Sequence, residues 1–333
     1  MYEFKTSERT VGTAAEYETK ALLYLMSYRN DSTEIDTFVV DCFNDVTGGN
    51  NSLSKLWDVQ SKGDKKLSPK LIGKYLVTLF QNAVSNIDFE YYILLVRDIP
   101  KEYLNNDKIT FGFDNFDSVR QAKIRVGLKE EYERRNKKAI DEVAANDFLS
   151  KVVFYRAKDK KEEFIRKIIK FKSKVKIQDE LLELIFNEIR NEQAKLKVID
   201  VFGKVVSNSQ EVLKYKKHLT RANIETLVVN RFIGMELFND KIVPVDFIDI
   251  IAGFDKEDRK DIVQDCNADI SRTLFNKNNG YAFWHLLEEL LIIIKSNPKM
   301  DTQQIYGAKS LSIPYTMNEL SVKYLISLIK EGL

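Results

Sequence analysis

β-Strand patterns are confined almost entirely to the first half of this chain. Runs rich in β-branched and aromatic residues, or with alternating polarity, occupy 35–46, 56–62 and 89–96. Beyond about Asp159, nearly every periodic segment has helical spacing. A chain of 333 residues is long enough for two domains. The pattern therefore predicts an α/β domain over 1–158 and an all-α domain over 159–333.

Composition excludes several classes of protein. Hydrophobic residues make up 44% of the chain and charged residues 31%, as expected for a folded protein rather than a disordered one. The net charge of +2 means that a polyanionic partner would have to be met by local clusters of basic residues.

The few cysteines and histidines limit the chemistry further. Cys42 and Cys266 are far apart and form no CxxC pair, which argues against a cysteine zinc site and a disulfide framework. The two histidines make most histidine-dependent triads an unlikely basis for catalysis. The N-terminus has no signal-peptide pattern, and the apolar runs are too short to span a membrane. We therefore expect a cytoplasmic protein without membrane insertion, whose chemistry depends on carboxylates and lysines.

The first half predicts the element order α-β-β-α-β. A helix over 7–28 is followed by a strand over 35–46, the turn formers TGGNNS, and a strand over 56–62. Ser68 and Pro69 then provide an N-cap and a first helical residue for a helix that reaches about Val84. The apolar run 89–96 predicts a buried strand. Further segments are a strand near 109–113, a charged helix over 116–136 and a strand over 152–155.

The second half predicts a compact helical domain. No internal repeat with a constant period is found, which argues against a solenoid. The predicted helices cover 162–171, 179–198, 221–238, 245–251, 256–275, 283–296 and 318–330.

Polar residues of catalytic type meet at one end of the predicted strand pair. Asp45 follows the first strand, and Gln60 and Lys62 lie on the second. Antiparallel pairing would bring them to the same end of the sheet. A metal-dependent phosphodiesterase needs oxygen ligands for a hard cation and a positive group near the charge that develops on phosphorus. Asp45 and Lys62 can supply these.

A helical carboxylate adds to this group. Glu18 lies four residues after Ala14 and four before Leu22, which places it on the apolar stripe of the first helix. An unpaired buried carboxylate is costly, so a bound cation or a lysine partner is expected beside it. Glu16 is the alternative, but it lines up with Lys20 on a more polar face.

These residues resemble the PD-(D/E)xK nuclease motif, with glutamine in place of the acidic residue before the spacer and lysine. The resemblance covers about the first 150 residues and implies a nuclease core in which Asp45, Glu18 and Gln60 bind Mg²⁺ or Mn²⁺ and Lys62 acts in catalysis. It also implies Glu18 as the additional helical ligand.

The stretches 12–18, 44–46 and 59–62 are similar to the double-stranded-DNA endonuclease domain of bacterial anti-phage effectors known from CBASS and Lamassu systems. The helical second half lacks an α/β pattern suited to sensing a cyclic oligonucleotide, which favours the Lamassu nuclease subunit. That family implies three kinds of partner: an SMC-like ATPase subunit, an accessory subunit, and further copies of the chain in an active homo-oligomer.

Each candidate metal ligand could also be an ordinary structural residue. Aspartate is common beside glycine in hairpins, so Asp45 could be a turn residue. Asp58 shares the face of Gln60 and Lys62 and could add a ligand, but a solvent-exposed aspartate is the simpler interpretation. Asp41 is a further candidate that we rank below Asp45.

Basic residues suggest where DNA would bind. Four lysines directly after the motif could contact phosphates or could simply be a solvated helix start: Lys65, Lys66, Lys70 and Lys74. The stretch 158–176 has an excess of basic residues that suits DNA or an acidic partner, although a charged surface helix would look the same. The aromatic and leucine-rich segment 281–291 is typical of a core helix.

The residue pattern and the resemblance together predict a Mg²⁺-dependent deoxyribonuclease, a hydrolase of phosphodiester bonds, and the resemblance implies a role in antiviral defence. The rival hypothesis is a catalytically silent nuclease-like scaffold that binds DNA or a partner without cutting.

Overall fold

The computed structural model describes residues 1–4, 13–172, 175–239 and 243–333, with residues 13 and 14 described in backbone only. It is mixed α/β, about 54% helical, with a mixed sheet and a helical C-terminal region. The start of the first predicted helix, Gly12 of the motif resemblance and Lys174 of the basic stretch lie outside the described residues. No helix in the described ranges is long and apolar enough to cross a membrane.

The elements alternate between strands and helices up to residue 166. In chain order they are β1 (Tyr2–Glu3), α1 (Thr13–Ser27), β2 (Thr37–Val40), β3 (Val46–Gly49), β4 (Leu56–Lys62), α2 (Pro69–Tyr75), α3 (Val77–Ala83), β5 (Tyr91–Val96), β6 (Thr110–Gly112), α4 (Ser118–Asn136), α5 (Glu142–Lys151), β7 (Val152–Arg156) and α6 (Lys161–Arg166).

The remaining elements are mostly helical. They are α7 (Asp179–Lys197), β8 (Val205–Val206), β9 (His218–Thr220), α8 (Arg221–Ile233), α9 (Val245–Ile250), α10 (Lys256–Leu274), α11 (Gly280–Ser296), α12 (Thr302–Tyr306) and α13 (Glu319–Gly332).

The chain forms two compact units. The first comprises Met1–Ile165 and Phe186–Arg221, and the second comprises Arg166–Ile185 and Ala222–Leu333. The change of pattern near Asp159 predicts one boundary, whereas the chain passes between the units three times. The segment 186–221 joins the first unit because β8 pairs with β1 and β9 pairs with β2. Both strands are too short to produce a recognisable alternation of polarity.

A seven-stranded mixed sheet organises the first unit, in the order β6-β7-β5-β4-β3-β2-β9. β2, β3 and β4 are antiparallel neighbours, whereas β4, β5 and β7 run parallel. β4 and β5 therefore lie in the middle of the sheet and are buried along almost their whole length. The apolar run predicted as a buried strand is confirmed as β5.

The prediction of a single strand over 35–46 was wrong. The run 35–46 is not a single strand, because β2 ends at Val40 and the chain bends over 41–45 before β3 begins. The glycines of TGGNNS belong to β3, and the turn lies after them. Gly48 lies in a closely packed position, since a Cβ there would be 3.0 Å from side-chain carbons of both Leu25 and Ile35. The observed order is therefore helix, three strands, two short helices and a strand.

The helix predicted after Ser68 is divided at Leu76 into α2 and α3. Its predicted cap is confirmed, because the Ser68 hydroxyl accepts a hydrogen bond from the Leu71 N–H at 3.2 Å. α2 lies directly against α4: a Cβ on Gly73 would come within 2.0 Å of the Ile124 carbonyl oxygen. Glycine at this position lets the backbones of α2 and α4 approach closely.

The second unit is helical and has its own core. The segment predicted as a core helix is α11, whose apolar side chains are almost fully buried, Trp284 and Leu287 among them. Tyr281, at the start of that segment, is exposed.

Candidate active site

Asp45 is held by three hydrogen bonds at the open end of the β3–β4 hairpin. Val46 pairs with Val59, so the residue before β3 lies beside the end of β4. One oxygen of Asp45, Oδ2, accepts from Gln60 Nε2 at 2.8 Å, from the Ser61 backbone N–H at 2.7 Å and from Ser61 Oγ at 2.8 Å. The predicted meeting of Asp45 with Gln60 thus occurs, and Ser61 is a partner that the sequence interpretation missed.

Lys62 follows at the end of β4 and is half-buried. Its ammonium lies 5.5 Å from the centre of the Tyr75 ring. The Tyr75 hydroxyl donates to Asp64 Oδ2 at 2.7 Å, and burial together with that carboxylate raises the pKa of Tyr75. A neutral tyrosine fixed at its hydroxyl end provides an aromatic face for the lysine.

Glu18 is 5% exposed on α1 and forms an ion pair with Lys197. The expectation that this buried carboxylate would have a cationic partner is met by Lys197, the last residue of α7. Glu16 is 37% exposed and pairs with Lys20 at 3.0 Å on its own helix. Only Glu18 lines the cleft that contains Asp45.

Asp58 is completely buried, so its interpretation as a solvent-exposed aspartate was wrong. It lies on a central strand beneath α3, and its carboxylate accepts from Asn82 Nδ2 at 2.6 Å, Thr47 Oγ1 at 3.2 Å and Asn44 Nδ2 at 3.4 Å. Burial raises the pKa of Asp58 to about 7, with Asp45 adding to the rise and the three hydrogen bonds opposing it. Asp58 connects the β3–β4 hairpin to α3 from inside the fold.

Asp41 is the second acidic residue of the bend. Its backbone is left-handed, with φ of 51°, and its side chain pairs with Lys217 at 3.3 Å. Lys217 is itself fully buried and also donates to the Ile199 carbonyl at 3.1 Å. Burial raises the pKa of Asp41, while Lys217 and Lys197 act in the opposite direction. Lys197 and Lys217 thus bring positive charge from residues 186–221 to this site.

The four predicted catalytic residues share one cleft of about 710 Å³ in the first unit. Its lining includes Glu18, Asp45, Gln60 and Lys62. Cys42 also lines it, but burial raises the pKa of this thiol to about 12, so it is a poor nucleophile near neutral pH.

The four predicted DNA-binding lysines do not share one environment. Lys74 is half-buried and lines the cleft. Lys70 is exposed and pairs with Glu130 at 2.7 Å. Lys65 and Lys66 are exposed in the loop before α2 and are not part of the cleft lining.

The donor set suits a cation that is shared with a substrate. Among the residues that the structure describes, no group of three or more His, Cys, Asp or Glu side chains is arranged to hold a metal ion. Asp45 and Glu18 place two carboxylates in the cleft, and Gln60 retains its carbonyl oxygen because its amide nitrogen makes the bond to Asp45. Mg²⁺ is commonly held by one or two carboxylates together with substrate phosphates. Asp45 and Gln60 fit this role as they stand, whereas Glu18 would have to leave Lys197.

Comparison with known proteins gave no match to any family, curated protein or solved structure.

Proposed function

We propose that this chain is a Mg²⁺- or Mn²⁺-dependent DNA endonuclease whose first unit has a PD-(D/E)xK-like core. The observation that carries the proposal is the arrangement at the hairpin: Asp45 is fixed by Gln60 and Ser61, with Lys62 next along the strand. Glu18 contributes a second carboxylate to the same cleft. An additional strand between the first helix and β4 departs from the order that the resemblance implies, but it leaves Asp45 next to β4.

The residues of the cleft have separate roles in the proposed reaction. Asp45 and Glu18 would hold the metal ion through carboxylate oxygens, and Gln60 would add a neutral carbonyl oxygen. When bound, the metal ion would lower the pKa of a water molecule and neutralise charge on the phosphate. Lys62 would hold the attacking water in place and stabilise the extra negative charge of the transition state. Ser61 keeps the Asp45 carboxylate oriented by occupying one oxygen, which leaves the other available to a cation.

The biological setting is proposed from the sequence resemblance. The chain would act in the bacterial cytoplasm as the effector of a Lamassu-type anti-phage system, held by an SMC-like ATPase subunit and an accessory subunit. Release from these partners and assembly into a homo-oligomer would activate it. Such restraint is physically reasonable, because the carboxylates of one site cannot distinguish host DNA from phage DNA.

A cleavage assay on supercoiled plasmid DNA tests the proposal. We expect nicking or linearisation with Mg²⁺ or Mn²⁺, and none with EDTA. The absence of cleavage with either metal, by the isolated chain and by the chain in the presence of its partners, would contradict the enzymatic function.

One observation favours the alternative of a silent scaffold. Glu18 is paired with Lys197, and glutamine stands where the motif has an acidic residue, so the negative charge available to a metal ion is low. In that case the cleft would bind DNA or a partner without hydrolysing it. Metal-independent DNA binding without any cleavage would support this alternative.

A further inference from the structure

The cleft extends beyond the proposed catalytic residues onto α3 and the end of α4. Its lining there is uncharged apart from two basic residues, and includes Gln81, Asn86, Tyr132, Arg135, Asn136 and Lys138. Within this described part of the lining there are two cations and no carboxylate, and Lys74 of α2 adds a third cation. The acidic lining residues come instead from β1, α1 and the bend before β3. The acidic and basic side chains of the cleft therefore come from different secondary-structure elements.

The two cations at the end of α4 are held in place by neighbouring residues. Arg135 Nε donates to Glu131 Oε1 at 2.7 Å, a bond that uses only one edge of the guanidinium group. Lys138 lies 5.9 Å from the centre of the Tyr132 ring. Beside them, Gln81 Nε2 donates to Asn136 Oδ1 at 3.1 Å, which connects α3 to the last residue of α4.

Basic residues at the end of a helix have an ordinary explanation, since positive charge is favourable beside the C-terminal carbonyls. That explanation applies equally to Arg134, which also pairs with Glu131. Helix-end charge does not explain why Arg135 and Lys138 line the cleft, since Arg134 carries the same charge at the same helix end and does not line it. A comparison of Arg134 with Arg135 can therefore distinguish the general effect of charge at a helix end from a role in the cleft.

We infer that Arg135 and Lys138, with Lys74, bind the sugar-phosphate backbone of duplex DNA beside the bond to be cut. This inference rests on the proposed function. Ammonium and guanidinium groups are the usual partners of phosphate oxygens, and the neutral amides of Gln81, Asn86 and Asn136 can donate to the same backbone. The carboxylates would remain at the scissile phosphate, where a metal ion compensates their charge.

Binding of a short fluorescent DNA duplex tests this inference. Affinity is measured by fluorescence anisotropy over a series of salt concentrations, in EDTA so that the DNA stays intact. Arg135→Gln and Lys138→Gln are compared with Arg134→Gln, the matched control. All three side chains are exposed, and Glu131 keeps one arginine partner in each arginine variant, so the variants should fold, which circular dichroism checks. Each lost phosphate contact should reduce the slope of log K against log salt by about 0.9 and weaken binding about 5- to 10-fold near 0.1 M salt.

The outcomes separate this inference from the proposed function. Weaker binding and smaller slopes for Arg135→Gln and Lys138→Gln, with Arg134→Gln unchanged, would support it, even for a protein that never cuts DNA. Equal effects of Arg134→Gln and Arg135→Gln would overturn it. It would also be overturned if Arg135→Gln and Lys138→Gln both bound DNA with the affinity of the wild-type protein while plasmid cleavage continued. Failure of the wild-type chain to bind the duplex at low salt would overturn this inference, whereas the proposed function is decided by plasmid cleavage with Mg²⁺ or Mn²⁺.

Discussion

At the scale of single residues, the site depends on how a few polar side chains are satisfied. Asp45 and Asp58 both accept three hydrogen bonds, but they differ in their access to the cleft. Asp45 is half-buried and lines the cleft, whereas Asp58 is sealed beneath it. Three donors to a completely buried carboxylate reduce the cost of its charge without removing it. Asp58 is therefore the residue from which we expect the clearest pH dependence of stability.

The wild-type protein should become less stable as the pH rises and Asp58 loses its proton. Asp58→Asn should show less of this pH dependence. The pKa of Asp58 is raised from 3.8 to about 7 in the folded state, so the folded protein holds this proton more tightly than the unfolded chain. The contribution of Asp58 is most favourable below about pH 4 and is lost progressively up to about pH 7, by a total on the order of 4 kcal/mol. Urea unfolding between pH 5 and 8 should show a smaller fall in unfolding free energy for Asp58→Asn. Parallel pH profiles for the two proteins would show that Asp58 does not titrate in this range.

The sequence predicted part of this residue-level picture. The proximity of Asp45 to Gln60 follows from antiparallel pairing and needs only the approximate register. The partnership with Ser61 depends on the bend over 41–45, which has no turn signal beyond its Asp and Asn residues. The burial of Asp58 could not be predicted from alternation of polarity, because α3 covers that face of β4 and Asn82 supplies the hydrogen bond.

At the scale of elements, the position of the site is set by contacts between segments that are distant in sequence. α1 carries Glu18, and the last residue of α7 supplies its partner Lys197. Sequence periodicity predicted both helices, but it contains no information about which helix ends meet. The sequence pattern likewise predicts a turn at the glycines of β3, because the close packing of Gly48 against Leu25 of α1 is a tertiary effect.

Glu18→Gln and Lys197→Gln distinguish a metal ligand from a purely structural ion pair. Either change leaves one largely buried charge without this partner, so both should lower the unfolding free energy by an amount on the order of 3 kcal/mol. If Glu18 also binds the metal ion, Glu18→Gln should lose plasmid cleavage, whereas Lys197→Gln should retain it. Cleavage is measured at a temperature where both variants remain folded by circular dichroism. Equal loss of cleavage in the two variants would mean that Glu18 acts through the ion pair alone. Glu16→Gln is the control, because Glu16 lies on the same helix, is more exposed and does not line the cleft.

At the scale of the whole molecule, the chain combines a sheet-containing unit with a helical one. The fold class was predicted correctly in its coarse form, because hydrophobic periodicity changes clearly along the chain. The return of 186–221 to the first unit was not predicted, since it depends on two short edge strands. α7 begins in the second unit, and its last residue, Lys197, belongs to the first.

Self-association should accompany DNA cleavage if the helical unit serves assembly, as proposed. We expect the free chain to cut DNA at a rate that rises with protein concentration as larger species form, and a complex with the SMC-like ATPase subunit to be inactive. Sedimentation velocity and plasmid cleavage are measured on the same samples. A strictly monomeric chain that cuts at its full rate without partners would contradict the proposed regulation and leave the nuclease proposal intact.

The central claim is that Asp45, Gln60 and Lys62 form a catalytic centre, and Lys62→Ala tests it most directly. Lys62 is half-buried at the end of its strand, so its loss should change the fold little, and circular dichroism checks this. Lys151→Ala is the control, because Lys151 is exposed on α5 and does not line the cleft. In the Mg²⁺ or Mn²⁺ plasmid assay we expect the wild-type chain and Lys151→Ala to cut, and a folded Lys62→Ala to show no cleavage. Undiminished cleavage by Lys62→Ala would contradict the claim.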